Sequence, residues 1–268
     1  MKIFHNISVL FSMMRLSIKS ALTYRVSFIL DVITSIMMFT SEFFIVYLMV
    51  DEMNEINGWT KEQIAVMYVI TILAGSIEVF FTDQMRNFAN KILWGNLDLD
   101  LVRPFHPLLR TMGDVSFSAL LNVVIFSAVV ITYITIIVPG LWTLRNLIVF
   151  IAAVIGGALI FSSITIFSCA ISFWTYDSQF FYRLVKQGTR QMLWYPLDIY
   201  NTIIKVVLTF VYPLAFVSYY PSLIIFEQDT QGVPAPFCCC SIIIGLVLCS
   251  LAVGLWHIGA KKYEGSGC

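Results

Sequence analysis

Five long apolar stretches, at 26–50, 64–82, 115–138, 147–174 and 237–256, leave this chain few ways to fold. A membrane-crossing helix needs about 20 mainly apolar residues, and each stretch meets or approaches that length. A sixth, 197–218, contains Lys205 and Pro213, but its central part is apolar enough to predict a proline-bent span. Composition agrees: 59% of the 268 residues are hydrophobic and 12% charged, against about 25% charged in soluble domains. A water-soluble fold is all but excluded. The formal net charge of zero argues against an electrostatic nucleic-acid partner.

Residues 1–24 behave differently. Ile7, Leu10, Phe11, Met14, Ile18 and Leu22 recur at helical spacing, whereas Ser8, Ser12, Arg15 and Lys19 fall elsewhere on the wheel. Such a helix is expected to lie along a membrane surface. It lacks the compact apolar core and small-residue cleavage site of a signal peptide. The expected fold is therefore all-α and integral to the membrane, with six transmembrane helices preceded by an amphipathic interfacial helix.

Orientation follows from where the basic residues fall, because cytosolic loops collect lysine and arginine. Thirteen of the sixteen lie on one side. They are Lys2, Arg15, Lys19 and Arg25 before span one; Arg86, Lys91, Arg103 and Arg110 between two and three; Arg183, Lys186 and Arg190 between four and five; and Lys261 and Lys262 after six. The opposite loops hold Lys61 and Arg145 among acidic residues such as Asp51, Glu55 and Glu227. This predicts a multi-pass protein of the cell membrane with both termini cytosolic.

Charges within lipid cost about 2.5 to 3.5 kcal/mol on insertion scales, so Asp31, Glu42, Glu78 and Lys205 need an account. They either mark a proton relay or substrate path, or sit at helix ends and in the packed interior, with Lys205 paired to a carboxylate. His5, His106 and His257 lie in separate segments without metal-ligand spacing. The six cysteines read as small apolar side chains, with neither a zinc pattern nor a disulfide framework. In span four, Ala152, Ala153, Gly156 and Gly157 would let a neighbouring helix approach closely. No GxSxG or nucleophile–base pair is recognisable, and the absence of GxxxxGK[ST] means the chain has no Walker A loop for ATP.

The most distinctive polar segment joins spans two and three. Residues 85–94 read as a short helix that Gly95 ends, and residues 97–101 alternate Leu and Asp in the two-residue period of a strand. Apolar Phe88, Ile92 and Leu93 would be left partly exposed there unless they met a partner or the lipid interface.

Residues 92–104, ILWGNLDLDLVRP, resemble the corresponding segment of ABC-2 type ABC exporter permeases, in a bacterial branch of that family. Tyr195–Pro196, the run from Pro213 to Pro221 and the ending from Lys262 to Gly267 are similar to the same family. The resemblance implies the ABC-2, type V exporter-like fold and a permease driven by alternating access. It implies a second permease, identical or paralogous, and two cytosolic ABC ATPase subunits that hold ATP and Mg2+, leaving no cofactor in this chain. It places a coupling helix in the loop 84–104, on Phe88, Lys91, Ile92, Leu93, Trp94 and Gly95, and an outer, re-entrant region at 219–236. Transport-path candidates are Glu42, Glu78, Lys205, Tyr219 and Tyr220, for a peptide, lipid or drug cargo that is amphipathic or hydrophobic. Membrane lipids are the remaining expected partner. The competing reading is an ion- or proton-coupled carrier or channel in which Glu42, Glu78 and Lys205 do the work.

Overall fold

Lipid offers a backbone no hydrogen-bond partner, so a crossing segment must satisfy its own amides, and the long apolar stretches form helices for that reason. A computed structural model describes residues 2–53, 58–102, 106–113, 115–175, 188, 192–228 and 240–263. The described residues are all-helical, with no β-strand among them. In order they form α1 (Lys2–Thr23), α2 (Arg25–Met53), α3 (Lys61–Thr82), a 3-10 turn (Asp83–Asn87), α4 (Phe88–Leu93), α5 (Asn96–Val102), α6 (Pro107–Gly113), α7 (Phe117–Ile137) and α8 (Leu144–Thr175). After a 3-10 turn at Leu197–Ile199 come α9 (Thr202–Val206), extended by a π turn (Val207–Val211), a 3-10 turn (Leu214–Phe216), α10 (Tyr219–Ile225) and α11 (Ser241–Lys262). By length and composition α2, α3, α7, α8 and α11 can each cross a membrane.

The five long helices pack in the sequence α2, α7, α3, α8, α11, each against the next. α3 is central and largely buried, while α2 shows most of its surface outward. Glycines set the closest approaches. A Cβ on Gly156 would lie 2.5 Å from the Ser241 backbone, and one on Gly245 would lie 2.9 Å from the Gly156 carbonyl, so α8 and α11 cross nearly backbone to backbone. A Cβ on Gly157 would lie 2.9 Å from both Ala74 and Val217, which fixes α8 against α3. The small residues of span four are thus occupied within the chain. Gly156→Ala should cost about 1 to 3 kcal/mol, because the Ser241 backbone cannot yield as a flexible side chain would. Thermal unfolding in detergent measures this, and an unchanged midpoint would place the α8–α11 crossing elsewhere.

Charge separates along the bundle. α1 packs on α6, and Arg86, Lys91, Arg110, Lys261 and Lys262 follow at that same end, beside Met85, Phe173 and Tyr263. Trp59, Lys61 and Arg145 mark the opposite end. Both α1 and the last turn of α11 lie at the basic end.

The stretch 197–218, where hydropathy predicts a proline-bent crossing, is bent sharply enough that its two arms make a sixth candidate crossing only if they count as one span. Tyr219 Oη donates to Asp198 Oδ2 at 2.9 Å, whereas a straight helix of that length would hold its ends about 30 Å apart. The stretch instead leaves the Trp59 end, turns at Tyr212–Pro213, and returns. Thr202–Val211 and Leu214–Ile225 meet at 76°. Proline supplies the break: Pro213 has no N–H to continue a helix, and Tyr212 before it is extended at φ −131°, ψ 77°. The returning arm can be irregular because it is enclosed, with Leu214 to Ile225 buried throughout. Ser241 Oγ donates to the Phe216 carbonyl at 2.7 Å. Asn146 Nδ2 donates to that of Ile225 at 3.1 Å.

α8 ends at the basic end, yet Leu193 and Leu197 pack with Trp59, Ile64 and Met67, and Trp194 lies 6.3 Å from the Tyr68 ring. Between Thr175 and Leu193 only Gly188 and Met192 are described. Arg183, Lys186 and Arg190 lie in that interval, outside the described residues, as do Arg103 and residues 229–239 with Cys238 and Cys239.

Candidate functional site

Two polar assemblies stand out, one at each end of the bundle. At the basic end, the turn Asp83–Asn87 and helices α4 to α6 form a platform. Phe88 and Ile92 point inward, 2% and 1% exposed, and pack with Leu97, Leu108, Cys169, Phe173 and Trp256. The Phe88 ring meets Phe173 edge-on at 5.4 Å and Trp256 at 6.3 Å. This corrects the expectation that Phe88 and Ile92 would stay partly exposed: they attach the platform to α8 and α11. Of the predicted coupling residues, Leu93 and Trp94 are exposed. Lys91 pairs with Asp100 at 3.8 Å, and Arg110 Nε reaches the other oxygen of that carboxylate at 2.6 Å. Asp100, nearly buried, so ties α4, α5 and α6 together.

Gly95 sits at φ +68°, the left-handed conformation that ends α4. Asp98 N–H then bonds the Gly95 carbonyl at 3.1 Å and starts α5. The Leu/Asp alternation at 97–101 is thus helix rather than extended chain. At helical spacing Leu97 and Asp100 turn inward, while Leu99 and Val102, three apart, turn outward. Together with Trp94 at 74% and Val102 at 85% exposure, Leu93, Leu99 and Leu101 make this an apolar surface carried by short helices.

His106 lies at the edge of the platform, its ring 5.0 Å from that of His257 and 5.7 Å from Trp256. Its Nδ1 is buried without a hydrogen-bond partner among the described residues. Burial first, and the charge on His257 second, hold its pKa below the ordinary 6.5. The unfolded chain therefore takes up a proton before the folded one. Stability should be full above pH 6.5 and fall as the pH drops below it, with His106→Gln flattening the profile. An identical pH profile for that variant would remove His106 from the account.

At the other end the centre is Asp198, which sequence reasoning passed over. Its carboxylate accepts from Trp59 Nε1 at 3.0 Å and Tyr219 Oη at 2.9 Å, and pairs with Lys205 Nζ at 3.2 Å. Trp59 also stacks at a tilt on Tyr219, 5.6 Å between rings. The segment before α3, the outgoing arm and the returning arm are joined through this one side chain. The available signal was Asp198 two helical turns before Lys205.

The other transport-path candidates do not converge there. Tyr220 Oη lies 3.4 Å from Thr209 Oγ1, bridging the two arms. Glu42 accepts from Tyr68 Oη at 3.3 Å. Glu78 is buried and accepts from Thr82 at 2.5 Å and Thr165 at 2.8 Å. Tyr68 and Glu78 are separated by about 15 Å of rise along α3, so Glu42 and Glu78 lie at different depths. No group of three or more His, Cys, Asp and Glu among the described residues could hold a metal ion.

The family model for ABC-2 family transporter proteins matches residues 36–267. The chain belongs to that family. No match was found among curated proteins or among solved structures. As an ABC-2 family transporter protein it is a multi-pass transmembrane component of a transport system, in a family that associates in general with ABC ATPase subunits. The match begins within α2, leaving α1 outside it.

Proposed function

We propose that this chain is the permease subunit of an ATP-driven exporter, working with a second permease, identical or paralogous, and two ABC ATPase subunits. The observation that carries the reading is the basic-end platform: an apolar surface of Trp94, Leu99 and Val102, mounted on a base whose Phe88 and Ile92 are locked into α8 and α11. Such a surface can take up a movement of a cytosolic partner and pass it to two long helices as a rigid unit. The clustered basic residues support placing this end, and hence both termini, in the cytosol of a cell-membrane protein. ATP and Mg2+ would be held by the partner subunits. Closure of the ATPase pair would then push the platforms and open the interface between permeases outward, in alternating access. An amphipathic or hydrophobic cargo such as a peptide, lipid or drug suits the aromatic content of the helices.

The placement of the charges favours the exporter over the carrier reading, since Glu42 bonds to Tyr68, Glu78 to Thr82 and Thr165, and Lys205 to Asp198, at different places in the bundle. The decisive experiment co-expresses the chain with its ATPase and introduces Leu99→Asp and Val102→Asp together. Burying two charges in an apolar contact should reduce co-purification and cargo-stimulated ATP hydrolysis by about tenfold or more, with the unfolding midpoint unchanged. Unaltered association would move the ATPase contact off α5.

A further inference from the structure

Beside the turn of the hairpin, α8, α11 and Tyr212–Pro213 enclose a cavity of about 480 Å³, within the range of small-molecule sites. Its walls are apolar, chiefly Phe167, Val211, Pro213, Leu248, Leu251 and Leu255. Three hydroxyl residues line it, Ser163, Ser168 and Tyr212; the two serines are spent on their own helix, Ser163 donating to the Ile160 carbonyl at 2.6 Å and Ser168 to that of Ile164 at 2.8 Å. An occupant is thus offered chiefly dispersion and exclusion of water, with both serine hydroxyls already bonded. The cavity lies between the Gly156–Ser241 crossing and the Phe173–Trp256 contact, inside the apolar length of both helices. Phe167, Val211 and Leu251 are exposed at its rim, so it opens sideways, away from the bundle.

The cavity face of α11 has a charged end. Leu248, Leu251, Leu255 and Ile258 follow one helical stripe, and the next position on it is Lys262, exposed, with Lys261 beside it. From Leu255 to Lys262 is about 10 Å along the axis. A hydrocarbon chain lying in the cavity and leaving along this stripe meets a cation where the helix ends. We propose that the cavity holds one acyl chain of an anionic membrane lipid whose phosphate sits at Lys262, a site built by the hairpin turn together with α8 and α11. The inference rests on the chain spanning a membrane and not on ATP-driven export, so it is tested on the chain alone.

The full chain is extracted in mild detergent and examined by native mass spectrometry after equilibration with phosphatidylglycerol or with phosphatidylcholine of the same acyl chains. One phosphatidylglycerol should be retained, with phosphatidylcholine and the Lys262→Gln variant each about fivefold weaker, as expected for one lysine near a lipid phosphate. Val211→Trp and Leu251→Trp, which fill the cavity from opposite walls, should lose the lipid by tenfold or more, given about 0.8 kcal/mol per buried CH2. Equal retention of the two lipids would reduce the contact to ordinary annular solvation and overturn the proposal. Retention unaltered by either tryptophan would overturn the cavity as its seat. Lys262 is exposed at a helix end, so Lys262→Gln keeps the fold, and unchanged retention in that variant is equally decisive.

Discussion

Phe88→Ala is expected to destabilise the protein by about 3 to 5 kcal/mol, the cost of removing a fully enclosed aromatic ring and leaving a cavity that its neighbours cannot fill. The ring is 2% exposed and stands edge-on to Phe173, with Trp256, Ile92 and Leu97 around it. Phe173 is held by Trp256 at 5.6 Å and Tyr263 at 6.2 Å, so it has little freedom to collapse into the space. Leu99→Ala, on the outer face of α5, should change stability by less than about 0.5 kcal/mol. Denaturation of the purified chain in detergent measures both, and a cost below 1 kcal/mol at Phe88 would mean that the platform is not seated on α8 and α11. The contrast has a practical consequence. On the proposed coupling role, a variant at Phe88 or Ile92 should lose coupling by loosening the platform, whereas one at Leu99 or Val102 should lose it only by losing the contact.

Hydropathy found the long helices because lipid leaves a backbone no alternative, so length and apolarity alone identify them. At 197–218 it does not separate a bent crossing from a hairpin for a physical reason: residues around Ile203 to Phe216 are as apolar in a hairpin with one exposed and one buried arm as in a crossing. The contact that distinguishes the two, Asp198 with Tyr219, joins positions 21 apart that no local period connects. The loop 84–104 shows the same limit on a smaller scale. Leu97, Asp98, Leu99, Asp100 and Leu101 fit a strand by alternation and a helix by the pairing of Leu97 with Asp100. What decides is the turn at Gly95 together with Arg110 and Lys91, which draw Asp100 inward. Gly156 and Gly157 were legible as a packing surface, but their partners, α11 and α3, depend on how the bundle is wound.

Asp198→Ala should cost about 3 to 5 kcal/mol, the range for removing one partner of an enclosed, hydrogen-bonded ion pair. Two aromatic donors, Trp59 Nε1 and Tyr219 Oη, lose their acceptor, and the Lys205 ammonium, whose side chain is 34% exposed, loses its counter-ion. Tyr219→Phe removes only one of these bonds and should cost about 1 kcal/mol. If the penalty comes largely from the stranded ammonium, Lys205→Met in the Asp198→Ala background should restore part of the stability, and the double-mutant cycle should show coupling of at least about 1 kcal/mol. Strict additivity, or a loss under 1 kcal/mol for Asp198→Ala, would mean that the two arms are held by packing of Tyr219, Leu214 and Phe216 alone. The carboxylate bonds the segment before α3, the outgoing arm and the returning arm at once. Its loss should therefore free the hairpin from α3, so that transport falls further than stability does in the same variant.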